Sequence, residues 1–382
     1  MLASASAAQA AVSFVTFGLP AIGPELRTEF GLSLPELGAV LSANLLGSGL
    51  ALIAAGVAVD RLGHRQATVG GTVLGALGLV AASLADAKSA LFAALLVSGL
   101  GSAVVPVAGA GALFRAYPVA RRGWALGVRQ MAVPLGGTVA AAVVPALEAL
   151  GGVELALVVG AAAVAATGLS FALVTEPGPV PGAPRAERPF RTIWRAPGMQ
   201  RLLLVAGFYI VVLQAVLAYT VPAARAAGLS AFAASATYFA INVTAMVARV
   251  VWGRVADREG GSRRTRTLVD AGLVAAAGGL LFTLALHVGA AVVVPAAVVF
   301  GFGALGWNAL VYVSAGERAS PELAGRSVAV AATVVFLLSA ACTPPLGALA
   351  GSAGWDVFWV TTALLAALGA LTAARLPKAV PS

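Results

Sequence analysis

"GVAVDRLGHRQATVGG", Gly56 to Gly71, crowds Asp60, Arg61 and Arg65 into six positions, with His64, one of only two histidines, among them. Apolar runs lie on both sides. The cluster is out of keeping with the rest of the 382 residues, of which 10% are Asp, Glu, Lys or Arg and 60% are hydrophobic. Soluble domains average about 25% charged and roughly 45–50% apolar. So little charge cannot cover a soluble fold of this length, and the surplus apolar surface must face lipid. The chain reads as an integral membrane protein, and the charged stretch as a loop at the membrane surface.

The spans sort around that loop. A transmembrane helix needs about 20 largely apolar residues, whereas barrel strands are short and alternating. "LALVVGAAAVAATGLSFALV", Leu155 to Val174, is continuously apolar, so helices are expected. Breaking the chain at charges, prolines and glycine clusters predicts twelve of them. They fall over about 5–24, 36–58, 67–86, 89–113, 124–147, 152–174, 202–224, 231–253, 268–287, 289–313, 325–349 and 354–374. The first 20 residues lack the positive n-region of a secretory signal and read as the first crossing. Cys342 is alone, which excludes an internal disulfide or a cysteine metal cluster.

With twelve crossings both ends share one side. On the opposite side stand only Arg27, Lys88 and Arg225; nearly all the rest of the 24 Lys and Arg gather beside the termini. The positive-inside rule makes that side cytoplasmic, and a bacterial cytoplasmic membrane is the expected location. A basic inner face near anionic lipid accounts for the net charge of +9 without a nucleic-acid partner.

The longest polar connection, Thr175 to Gln200, divides a first half over 1–174 from a second over 201–382, with 175–200 as a cytoplasmic linker. Gly56-x-x-x-Asp60-Arg61 returns as Gly253-x-x-x-Asp257-Arg258, 197 positions later. Each copy joins the second and third crossings of its half. A duplicated six-helix unit is a transporter architecture, with the binding site near the bilayer midplane.

Gly56, Asp60, Arg61, Gly63 and Arg65 resemble the loop signature of the major facilitator superfamily, with His64 where an Arg is usual. The second copy keeps Gly253, Asp257 and Arg258, then loosens into "EGGSRR". The resemblance implies an all-α membrane fold of two pseudo-symmetric six-helix bundles, working as a monomeric secondary transporter by alternating access. It implies a small-molecule substrate and no cofactor beyond a coupling ion such as H+. It also assigns both loops a gating role. Asp60 would cap the eleventh crossing near Gly325 and Asp257 the fifth near Gly123, contacts that form only when the cytoplasmic side is closed.

Polar groups within crossings are costly, which makes them candidates for substrate contact. Arg129, followed by Gln130, lies more than one turn into the fifth crossing. It favours an anionic or carbonyl-bearing substrate; the alternative is an Arg that snorkels to the interface. Snorkelling is the expectation for Arg249, four residues before Gly253. The tenth crossing carries Trp307, Asn308 and Tyr312, the last two one helical turn apart on one face. Its Gly301-x-Gly303-x-x-Gly306 formally matches a dinucleotide fingerprint, but no βαβ context surrounds it; close helix packing explains the glycines. Gln9, Gln214, Tyr219 and Asn242 complete the candidates, each equally suited to an interhelical hydrogen bond.

Uptake of a small organic anion is the leading functional expectation, and "GVRQMAVPLGG" with "GWN" loosely resembles the branch of predicted cyanate, organic-acid and sugar-acid permeases. Proton-coupled efflux of drugs or hydrophobic metabolites is the alternative. Leu95 stands where such exporters carry an Arg, and "VPLGG" at Val133 to Gly137 is one residue short of their fifth-span motif. An enzyme is not expected: His287 stands alone at an outer span end, with no nucleophile–base or metal set at membrane depth. A channel or a receptor would not need duplicated loops.

Overall fold

The computed structural model describes residues 1–178, 189–257, 263–318 and 324–377. They are helical throughout their length apart from short turns, with no strand among them. The chain forms two compact units, Met1–Pro184 and Arg185–Ser382.

The first unit opens with α1 (Leu2–Gly18), a 3-10 turn, and α2 (Gly23–Phe30), which ends at Gly31 in the left-handed conformation. α3 (Leu34–Ser83) starts in a capping box: the Ser33 hydroxyl accepts from the Glu36 amide and the Glu36 carboxylate accepts from the Ser33 amide. α4 (Lys88–Ser102) and α5 (Val104–Ala116) form one crossing interrupted at Ala103. Pro106, just past the interruption, has no N–H to return to the preceding turn. α6 (Val119–Leu173) closes the unit.

The second unit begins with a short α7 (Pro189–Arg195), followed by α8 (Met199–Ala226), α9 (Ala231–Asp257) and α10 (Arg264–Leu286). α11 (Ala290–Ala304) and α12 (Asn308–Glu317) again share one interrupted crossing, and α13 (Ala324–Ala374) is last.

Among the described residues, nine helical segments are long and apolar enough to cross a membrane. Three of them, Leu34–Ser83, Val128–Leu173 and Ser327–Ala374, run 46 to 50 residues, more than twice the roughly 20 that one crossing needs. Each contains a backbone break, at Gly63, at Gly151–Gly152 and at Gly354. Six single and three double segments are consistent with twelve crossings.

Here the structure departs from the loops expected between the paired spans. The turn between the second and third crossings is essentially one residue, Gly63, whose φ of 86° suits a residue without a Cβ. The Gly178 carbonyl occupies the space where that Cβ would stand.

Small residues set the closest helix approaches. A Cβ on Gly101, at the end of α4, would overlap the backbone of Gly71 and Gly75 in the later half of α3. In the second unit, a Cβ on Gly303, at the end of α11, would overlap the backbone of Ala271 and Ala275 in α10. Each unit thus makes the same crossing between its third and fourth spans, two residues or fewer before the fourth span breaks.

Candidate functional site

Arg129 lies inside α6, and its side chain turns inward rather than towards the membrane surface. It is 4% exposed. Its Nη2 donates to Gln9 Oε1 on α1 at 2.9 Å and to the Pro106 carbonyl on α5 at 2.9 Å. The guanidinium fits only because residue 109 is glycine: a Cβ there would stand 2.8 Å from Arg129 Nε. That Nε is enclosed without an acceptor. Nη1 is neither bonded nor enclosed. None of the ion pairs among the described residues involves Arg129. Removing such a cation from water costs several kcal/mol, and two neutral oxygens do not cancel its charge.

Gln130 is exposed and stands outside this cluster. A second polar network in the same unit was not anticipated. Thr16 Oγ1 donates to Asn44 Oδ1 at 3.0 Å, and Asn44 Nδ2 donates to Ser98 Oγ at 3.2 Å, joining α1, α3 and α4. Asn44 satisfies the same test that picked out Gln9, a polar side chain inside an apolar run, so the signal was present.

In the second unit the candidates separate into packing groups and open ones. Gln214 Nε2 donates to Thr343 Oγ1 at 3.2 Å, and the Tyr219 hydroxyl to the Thr343 carbonyl at 2.7 Å, tying α8 to α13. Asn242 bonds back to the Tyr238 carbonyl on its own helix. Trp307 is 1% exposed, donates to the Ala304 carbonyl and tilts against Tyr209, which leaves it no free polar group to offer. Asn308 keeps an enclosed Oδ1 without a donor, as Arg249 keeps an enclosed Nε without an acceptor. Arg249 also lies within electrostatic reach of the Tyr312 hydroxyl, which faces α9 from α12. Arg249, expected to snorkel, is half-buried and within reach of one tenth-crossing candidate, Tyr312.

The two loops differ. In the first, Asp60 and Arg61 are exposed, Arg65 is half-buried, and Gly63 is pinned against Gly178. A Cβ on Gly56 or on Gly253 would meet open space, so neither glycine is demanded by close packing. In the second loop, Asp257 lies 3.6 Å from Arg264, which also pairs with Glu317 at the end of α12. Arg258 lies outside the described residues, as does 179–188 of the linker. His287 is not alone: its Nε2 stands 2.8 Å from Asp356 Oδ1, with both side chains more than half exposed. Their separation of 69 positions hid the pairing from the sequence.

The family model described as Major Facilitator Superfamily matches residues 5–341. Two proteins of Mycobacterium tuberculosis, from strains CDC 1551 / Oshkosh and H37Rv, each described as an uncharacterized MFS-type transporter, are 26% identical over 352 residues. That span is 90% of this chain and 77% of theirs. Among solved structures, a bacterial homolog of the human lysosomal transporter Spinster, inward-facing and occupied, has a TM-score of 0.82 at 16% identity, covering 100% of this chain and 98% of its own. A D-xylose–proton symporter has a TM-score of 0.78 at 16% identity, covering 99% and 98%. At such identities the likeness concerns the fold.

Proposed function

Because the chain belongs to the Major Facilitator Superfamily, we propose that it carries a small organic anion across the cytoplasmic membrane by alternating access, with Arg129 as the counter-charge. One observation carries the choice of anion. Arg129 is buried, is held by two neutral acceptors from α1 and α5, and has a free Nη1. An anionic group on that nitrogen would offset the burial of the guanidinium through a charge-assisted hydrogen bond.

In this reading Gln9 orients Arg129, and Asn308, Tyr312 and Arg249 are the groups of the second unit that offer hydrogen-bonding capacity. Gln214, Tyr219 and Asn242 act through helix packing. Both termini face the cytoplasm, the chain works as a monomer, and the six-helix halves 1–174 and 201–382 move about the linker. Asp60, Arg61 and Arg65, with Asp257 and Arg258, bias the gating equilibrium. A proton gradient is the coupling source proposed for accumulation.

The test is uptake into proteoliposomes of labelled acetate, lactate, succinate and gluconate, with tetraphenylphosphonium as a cationic control. Arg129→Ala should abolish carboxylate uptake while the protein still inserts and elutes as the parent does. Carboxylate uptake unchanged in Arg129→Ala, or transport of the cation alone, would overturn the assignment.

A further inference from the structure

His64 follows the α3 break directly and so stands between two crossings rather than inside either. It is 5% exposed, and its Nε2 is enclosed without a hydrogen-bond partner. The ring rests on Gly111 of α5, where a Cβ would lie 2.6 Å from that nitrogen. With Asp60, Gly111 and Arg115 it lines a cavity of about 230 Å³. An imidazole so placed has one unused proton site in a setting of mixed charge.

The start of the linker is fastened at the same spot. Arg115 Nη2 lies 3.3 Å from Glu176 Oε2, the Thr175 hydroxyl donates to the Ala172 carbonyl at 2.8 Å, and Gly178 packs on Gly63, one residue before the histidine. We propose that His64 is a proton-binding site that controls whether Thr175–Gly178 stays docked on the α3 break.

The charges around the ring give the direction. Burial holds the His64 pKa below its ordinary 6.5, and Arg115 on α5 pushes the same way. Asp60 on α3 and Glu176 in the linker oppose them. Docking therefore selects the neutral ring. Its contribution is fully present above pH 6.5 and is lost as the pH falls through the lowered value. An imidazolium formed there sets a second cation near Arg115 while its own Nε2 is enclosed without an acceptor. Opening the linker contact hydrates the ring and relieves that repulsion, so protonation lifts Gly178 from Gly63. Only a proton is bound, and no bond is broken. Cytoplasmic pH thereby reaches the segment that joins the two units.

Neither arm of the test uses a substrate, so its outcome is independent of the role proposed for Arg129. The full-length protein with ¹⁵N-labelled histidine, in lipid nanodiscs, gives signals from two side chains; His64→Gln identifies the one from His64. In parallel, trypsin cleavage at the linker residue Arg185, which precedes Ala186, is followed between about pH 7.5 and 5.5, normalised to a free arginyl peptide. His64 should titrate below 6.5. Relative cleavage should rise on acidification, because protonation of the ring is linked to release of the segment. His64→Gln should stay slow at both ends of the range, and His64→Arg should be fast throughout. A His64 signal titrating at or above 6.5, or an equal acid-induced rise in His64→Gln, would overturn the proposal. The titration is read on the unaltered protein, so a variant that folds poorly does not shelter the idea.

Discussion

Replacing Gln9 by Leu removes the only side-chain acceptor among the described residues that Arg129 uses. The bond is 2.9 Å long and both partners are buried. A hydrogen bond to a charged group contributes about 1.5–3 kcal/mol net. Gln9→Leu should therefore destabilise the first unit by about 2 kcal/mol. For a unit of this size that corresponds to roughly 4–8 °C in melting temperature. Arg129→Met reverses the account. The buried cation disappears, which often leaves stability unchanged or improved, but Gln9 Oε1 and the Pro106 carbonyl lose their donor. Adding Gln9→Leu to Arg129→Met then removes an orphaned polar group, and the second substitution should cost little. Thermal unfolding of parent, singles and double in one detergent gives the coupling, expected at about 1.5–3 kcal/mol. Effects that add within about 0.5 kcal/mol would refute the claim that Gln9 serves Arg129.

Gly63→Ala should strain a backbone conformation (φ 86°, ψ 167°) that only glycine adopts freely, by roughly 1–3 kcal/mol, and displace Gly178, so linker cleavage by trypsin should be fast even at neutral pH. Gly101→Val and Gly303→Val should each lower stability by about 1–3 kcal/mol through overpacking, read as matched losses in melting temperature. Tyr219→Phe should keep the edge-on contact with Phe358 but strip the donor from the Thr343 carbonyl, for about 1–3 kcal/mol and little change in transport.

Apolar composition made the crossings legible, because burial in lipid leaves its mark on every residue of a span. Turns were less legible. Hydropathy does not register φ, so Gly63 read as part of a loop of several residues when it is itself the turn. Arg129 and Gln9 were each visible as polar intrusions, yet their pairing across 120 positions needed the fold. Asn44 carries an equal signal, and its pairing with Thr16 and Ser98, 28 and 54 positions away, likewise needed the fold. His287 looked solitary for the same reason that distant partners always do. The duplicated loop announced the internal repeat, but the matching crossing did not, because Gly71 and Gly75 in one unit are Ala271 and Ala275 in the other.

Those crossings have a mechanical consequence. Where Gly101 meets Gly71 and Gly75, and Gly303 meets Ala271 and Ala275, main chain rests on main chain with no pliant side group between. The two spans so joined should swing as one stiff lever. Flexure then falls on the nearest weak points, Ala103 in one unit and Leu305 to Trp307 in the other, giving each half its own built-in elbow.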